Sequence, residues 1–237
     1  MTQNYLNKIV LITGTSRGVG LLIASHFLEN GAFVIGVSRS EATIAQKNYT
    51  HFSIDIGSPE EVIKMFRSIM KTFKKIDIVI NNAAVLTSQY SMILAIKNVT
   101  EMVNVNLLGT FFISREAAKL MRKNSYGRII NIGSMAASLE PIGDSIYAAC
   151  KAAINTMANV MAKELSGLKI TCNTLGITAI ETGMLKQLPK QKVDEIIKKL
   201  PVPRYASAND IFNVIDFFAS EQSSYITAQV IYLGGVN

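Results

Sequence analysis

The chain has no tryptophan and only two cysteines among its 237 residues. Two cysteines cannot build a disulfide framework, which excludes a cysteine-stapled secreted scaffold and points to a reducing compartment. Five prolines and fifteen glycines are too few for a collagen-like or low-complexity chain. Charged residues make up 17% and hydrophobic ones 49%, the reverse of the balance that keeps a chain disordered. No run approaches the ~18 consecutive apolar residues of a membrane span, and the opening MTQNYLNK lacks the apolar region of a signal peptide. A soluble, cytoplasmic protein that spans no membrane is expected. Carboxylates are the scarce charge, 17 against 24 lysines and arginines, for a net charge of +7. The basic residues are scattered and the few aromatics do not interleave with them, so a nucleic-acid platform is not expected. His26 and His51 stand apart from each other and from other ligands, and no metal site is expected. Cys150 and Cys172 lie among apolar residues, as buried free cysteines do.

Apolar runs of strand length alternate with helical patterns along the whole chain. Strands are expected at 8–14, 32–37, 51–56, 76–82, 127–134, 169–176 and 229–235. Helices are expected at 19–29, 59–73, 98–123, 144–165, 184–199 and 207–220. The strand segments are rich in Val and Ile without polar alternation, which marks strands covered on both faces. The spacing predicts βαβ units with right-handed crossovers. No linker or composition break interrupts the series, so residues 1–237 read as one α/β domain, a single doubly wound parallel sheet with helices on both faces. Between Ser38 and Asp55 there is room for at most a short second crossover helix.

The first strand runs into Thr13-Gly14-Thr15-Ser16-Arg17-Gly18-Val19-Gly20. A Gly-rich turn between strand and helix lets backbone N–H groups approach a pyrophosphate, and the helix N-terminus adds favourable partial charge. An NAD-binding chain of this architecture places a carboxylate at the end of the second strand for the ribose 2′-hydroxyl. Here that strand ends Gly36-Val37-Ser38-Arg39. A guanidinium is always charged and grips phosphate bidentately, and Arg17 reaches toward the same point. Two arginines and no carboxylate favour NADP(H) over NAD(H). Asp55 is placed to contact the adenine.

Tyr147 and Lys151 are four residues apart in a predicted helix and so share one face. None of the other seven tyrosines has Lys four residues on. A free phenol ionises near pH 10, too high for efficient proton transfer at neutral pH, and a neighbouring ammonium lowers that value. Ser134 closes a strand, at the edge where open α/β sheets bind ligands, and its hydroxyl is suited to hold a substrate carbonyl.

With T-G-x3-G-x-G at 13–20, Asn81-Asn82-Ala83 closing the fourth strand, Asn106 in VNVNLLG, and Ser134 thirteen residues before the Tyr147-x3-Lys151 pair, the chain resembles the short-chain dehydrogenases/reductases over nearly its full length. The resemblance implies a Rossmann-type fold and hydride transfer between a nicotinamide cofactor and a carbonyl or secondary alcohol. It implies catalytic roles for Asn106, Ser134, Tyr147 and Lys151. Tyr147 would act as general acid or base, and Lys151 would bind the nicotinamide ribose and depress the tyrosine pKa. Ser134 would orient the carbonyl, and Asn106 would hold a water that relays protons through Lys151. It also implies cofactor contacts by Gly14, Ser16, Arg17, Gly18, Val19 and Gly20 in the first loop, and by Ser38, Arg39, Asp55 and Ile56 around the adenosine. Asn82, Ala83, Ala84, Ile180 and Thr182 would complete the cofactor set, with Tyr147 and Lys151. Ser134, Met135, Tyr147 and Met184 would touch substrate, with Leu139, Ile142 and Leu185 as further apolar wall.

Within the family the chain most resembles 3-oxoacyl-carrier-protein reductases, through LPVPRYASANDI (200–211), YITAQVIYLGG (225–235) and NTLGITAIETGM (173–184). Those segments also recur in sugar and polyol dehydrogenases, so a sugar or surface-polysaccharide precursor dehydrogenase is a second reading. A non-catalytic NADP(H)-binding regulator on the same fold is a third. Three departures stand out. Ala84 replaces the family's Gly after Asn-Asn-Ala, and Ile177-Thr178 replace its Pro-Gly. Ser125 and Leu168 replace basic carrier-docking positions, although Arg122, Lys123 and Lys169 lie close by. The apolar faces at 98–123 and 144–165 imply pairing across a two-fold axis, hence a homotetramer or homodimer.

Overall fold

Four of the first five strands are apolar on both faces because each is sandwiched between helices. A computed structural model describes residues 4–41, 43–180 and 190–236. Seven strands form one parallel sheet: β1 (Ile9–Thr13), β2 (Phe33–Ser38), β3 (Tyr49–Ser53), β4 (Ile78–Asn81), β5 (Gly127–Ser134), β6 (Ile170–Ile177) and β7 (Val230–Tyr232). Their order across the sheet is β3-β2-β1-β4-β5-β6-β7. Along β1, Val10 and Ile12 face one apolar cluster while Leu11 faces another. The first cluster includes Phe27 of helix α1 (Gly18–Glu29) and Ile215 of a late helix at 208–219. The second includes Phe66 of α2 (Pro59–Phe73) and Ile113 and Met161 of later helices. Burying alternate residues against opposite layers removes the polar alternation expected of a half-exposed strand.

The remaining helices are α3 (Ile96–Met102), α4 (Thr110–Asn124), α5 (Ala136–Leu139), α6 (Ser145–Leu165), α7 (Lys190–Lys198) and α8 (Ala208–Ala219). Their ends follow local chemistry. Ser58 accepts from the Glu61 N–H and Pro59 takes the first helical position of α2. Ser207 and Asp210 form a reciprocal capping box that starts α8.

The structure differs from the sequence reading at three places. The helix expected to run unbroken over 98–123 is α3, then a π-helical turn over Val103–Gly109, then α4. Three-dimensional contacts explain the wider turn. Asn106 is drawn onto the main chain of Val85, and at Gly109 a Cβ would lie 2.8 Å from Ile56 Cγ1. Strand β3 begins two residues earlier than expected and ends at Ser53, so Ile54, Asp55 and Ile56 leave the sheet. The last strand stops at Tyr232, because Gly234 and Gly235 turn the chain with positive φ. In the helix expected at 184–199, only α7 falls within the described residues. No helix occupies the β2–β3 connection among the described residues, in line with the short spacing there.

The strand order reverses beside β1, since β2 lies on one side and β4 on the other. Crossovers leave this point toward opposite faces, which opens a crevice beyond the carboxyl ends of the strands.

Candidate active site

A cleft of about 790 Å³ occupies that crevice, within the size range of small-molecule and cofactor pockets. Gly14, Ser16, Arg17, Gly18 and Val19 of the first loop line it. Gly14 and Gly18 have positive φ, and the Gly14 N–H donates to Val37 O at 2.6 Å, fastening the loop to β2. Gly20 does not line the cleft. A Cβ there would sit 2.1 Å from the Gly14 carbonyl oxygen and 2.4 Å from Asn82 Nδ2, so this glycine brings helix α1 against the loop. Asn82 completes the floor: its N–H donates to Thr13 Oγ1 at 3.0 Å and its Nδ2 to Thr13 O at 2.9 Å. The positive-φ glycines keep the loop open to the cleft, while the Gly14 and Asn82 N–H groups are spent fastening it to β2 and β1.

At the other wall of this half, Ser38, Arg39, Asp55 and Ile56 line the cleft. The Arg39 guanidinium is half-exposed and donates to Glu101 Oε1 at 2.9 Å. Glu101, which also lines the cleft, is a carboxylate that no local pattern announces. It comes from α3, 62 residues away from Arg39. Arg17 is exposed beside the same cleft. Asn82, Ala83 and Ala84 continue the lining toward β5.

The second half of the cleft gathers Ser134, Met135, Tyr147, Lys151, Ile177 and Ile180. Ser134 ends β5, and its oxygen accepts from the Ala136 N–H at 3.1 Å. Tyr147 and Lys151 sit on successive turns at the start of α6, 8% and 3% exposed. Lys151 Nζ lies 5.8 Å from the Tyr147 ring centroid and donates to Ile132 O at 2.7 Å. Burial pushes the Tyr147 phenol up to about 12, with Asp144 adding to the rise and a hydrogen bond with Ser134 opposing it. Burial pulls the Lys151 ammonium down to about 8. Lys151 is expected from the sequence to depress the Tyr147 pKa, but burial moves it the other way. Desolvation is the largest cause of both shifts, because burial disfavours the phenolate and the ammonium alike.

Asn106 is fully buried and not part of the cleft lining. Its Oδ1 accepts from the Val85 N–H at 2.8 Å and its Nδ2 donates to Val85 O at 2.9 Å. These two bonds clamp the main chain of Val85, a cleft-lining residue. Ile177, in place of Pro, extends the ladder to a final pair with Ser134, and its carbonyl accepts from the Met135 N–H at 2.9 Å. Leu139 and Ile142 are exposed, and only Ile142 lines the cleft. Thr182, Met184 and Leu185 lie outside the described residues. Among the described residues there is no cluster of three or more potential metal ligands, and no helix is long and apolar enough to cross a membrane.

A doubly wound parallel sheet with a glycine-rich first turn and a buried Tyr–Lys pair beside a serine defines an oxidoreductase of the dinucleotide-binding class. Residues 8–193 match the family model described as short chain dehydrogenase, and the chain belongs to that family of nicotinamide-dependent oxidoreductases. It is 30% identical over 239 residues to the 3-oxoacyl-[acyl-carrier-protein] reductase FabG of Vibrio cholerae, covering 98% of each chain. It is 32% identical to the FabG of Buchnera aphidicola, covering 96% of each. Among solved structures, a putative gluconate dehydrogenase from Agrobacterium tumefaciens superposes with a TM-score of 0.89 at 25% identity, over 98% of this chain and 96% of that one. The ligand-free aldohexose dehydrogenase of Thermoplasma acidophilum gives 0.90 at 26% identity, over 98% and 94%.

Proposed function

We propose that this protein is an NADP(H)-dependent reductase of a carbonyl, or oxidant of the matching secondary alcohol, with Tyr147 as the proton-transferring group. The observation that carries the reading is the convergence of Ser134, Tyr147 and Lys151 at one end of a cleft whose other end holds the glycine loop and two arginines. The bound dinucleotide supplies or accepts the hydride. Gly14, Ser16, Gly18 and Val19 receive its pyrophosphate, while Arg17, Ser38 and Arg39 receive the adenosine 2′-phosphate. Asp55 and Ile56 flank the adenine, and Asn82, Ala83, Ala84 and Ile180 complete the enclosure.

Ser134 accepts from Ala136 and bonds the Tyr147 phenol; a substrate carbonyl oxygen seated between the two hydroxyls would take that donor in place of the phenol. Tyr147, kept protonated by burial, gives its proton to that oxygen in reduction and recovers one in the reverse direction. One N–H of Lys151 is taken by Ile132 O, which leaves two that would hold the nicotinamide ribose and serve the phenol. An ammonium lowered to about 8 is poised to return a proton toward Tyr147 at neutral pH. Asn106 acts by holding Val85. Met135 provides an apolar wall for the substrate.

A 3-oxoacyl thioester is the substrate class supported by the FabG relatives and by the apolar side chains around Ser134. The likeness to the gluconate and aldohexose dehydrogenases favours a sugar substrate as the second reading. Phe111 on α4 and Val160 on α6 expose apolar surface on the helices inferred to pair in a homotetramer, and a cytoplasmic location accompanies this assignment. The decisive experiment follows NADPH oxidation at 340 nm against β-keto thioesters, diketones and keto sugars, with Tyr147→Phe alongside. Turnover with one class is expected, reduced by at least ~10³-fold in the variant with NADPH affinity retained. Tight NADPH binding without turnover on any substrate would favour a nucleotide-binding regulator instead.

A further inference from the structure

We propose that His51 is a positioning residue that sets discrimination for the adenosine 2′-phosphate; the inference rests on the NADP(H) reading above. The turn that carries Arg39 follows β2 directly. No helix among the described residues of the 39–48 connection supports it, so something else must hold the turn. Its anchor is the Ser40 carbonyl, which accepts from three side chains: Ser38 Oγ at 2.8 Å, His51 Nε2 at 2.9 Å and Ser53 Oγ at 3.2 Å.

That carbonyl also fixes the direction of a longer chain. A carbonyl oxygen only accepts, so His51 Nε2 carries the hydrogen. The hydroxyl hydrogen of Ser38 is spent on Ser40 O, and its oxygen lies 3.2 Å from the same Nε2 as a second acceptor. In the neutral ring Nδ1 is then an acceptor, and Tyr49 Oη donates to it at 2.9 Å. With that hydrogen used, the Tyr49 oxygen accepts from Thr15 Oγ1 at 3.0 Å. Polarity therefore runs one way, from Thr15 through Tyr49 and His51 to Ser40. Gly36 makes the path possible: a Cβ there would fall 2.0 Å from Tyr49 Oη and 2.7 Å from Thr15 Oγ1.

Thr15 is fully buried between Gly14 and Ser16, both of which line the cleft. The relay thus ties the loop that faces the pyrophosphate to the turn that faces the 2′ position. Arg39 lies between its two pinned neighbours, Ser38 and Ser40. Without His51 the turn keeps only the Ser38 and Ser53 hydroxyls on Ser40 O and loses the rigid ring among its anchors, which loosens the base that an exposed, flexible guanidinium needs to hold a phosphate in one geometry.

The test is calorimetric titration of NADPH, NADH, adenosine 2′,5′-bisphosphate and 5′-AMP into the wild type, His51→Phe and His51→Gln. Phe keeps a flat ring without hydrogen bonds, whereas Gln places an amide donor near the Nε2 position. His51→Phe is expected to weaken NADPH and the bisphosphate by ~5–10-fold, about one hydrogen bond's worth, with NADH and 5′-AMP within about twofold. His51→Gln is expected to recover most of the loss. Equal weakening of all four ligands, or unchanged NADPH binding in His51→Phe, overturns the inference while leaving the cofactor assignment standing. A wild type that binds NADH as tightly as NADPH overturns the cofactor assignment, and the inference with it. Should His51→Phe not fold, Tyr49→Phe breaks the same chain one link earlier and must show the same NADPH-selective loss.

Discussion

Lys151 is expected to weaken the fold when no cofactor is bound. Its ammonium is 3% exposed and donates to a neutral carbonyl, Ile132 O. Burial lowers its pKa from 10.5 to about 8, and at ~1.4 kcal/mol per unit this is a penalty of about 3 kcal/mol on the charged form. Replacing Lys151 by Met keeps the apolar stem and removes the charge. It also leaves Ile132 O without that donor, at a cost of about 1–3 kcal/mol. The net expectation is a variant about 1 kcal/mol more stable than wild type at pH 7, a Tm higher by ~2–4 °C for a chain of this size, and abolished turnover. The pH dependence isolates the cause. Below pH 8 both folded and unfolded wild type carry the charge and the full penalty is present. Between pH 8 and 10.5 the unfolded chain binds more protons than the folded one, so wild-type stability gains with rising pH from this group. Met has no such gain, so the advantage of Lys151→Met should shrink by about 1 kcal/mol between pH 7 and pH 9. Denaturant unfolding of the two cofactor-free proteins at both pH values measures this double difference, in which other titrating groups cancel. A difference independent of pH, or one that grows toward pH 9, would refute the reasoning.

Gly20→Ala places a methyl 2.1 Å from the Gly14 carbonyl oxygen, which backbone movement alone can relieve. A stability loss of about 1–3 kcal/mol and an NADPH affinity reduced at least ~10-fold are expected, and a calorimetric Kd equal to wild type would contradict the tight packing of loop on helix. Glu101→Gln releases Arg39 from its 2.9 Å partner. An exposed pair contributes at most about 1 kcal/mol, so NADPH affinity should rise by ~2–5-fold with NADH unchanged. A fall in NADPH affinity would mean that Glu101 aids the cofactor. Tyr147→Phe, assayed as described above, separates proton transfer from binding.

Much of the architecture is legible in local patterns. Runs such as Lys8–Gly14 and Gly127–Ser134 are apolar on both faces, and their alternation with helical periodicity implies a covered parallel sheet. The π turn at 103–109 is not legible, because helical periodicity at 98–123 carries no record of where Asn106 finds a partner. That partner, Val85, is 21 residues away. The same holds for β3, whose start at Tyr49 depends on pairing with Val34 more than on the apolar character of 51–56.

Residue order alone was enough for the sheet, the glycine loop and the Ser134–Tyr147–Lys151 set, since each depends on short-range spacing or on backbone conformations that few residue types adopt. The folded chain had to decide the sign of the Tyr147 and Lys151 shifts, because desolvation is a property of everything packed around a group. It also had to bring Glu101 to Arg39, and Thr15, Tyr49 and His51 into one relay to Ser40. Those contacts join segments whose distances are set by strand order and register, quantities that no local stretch of sequence contains.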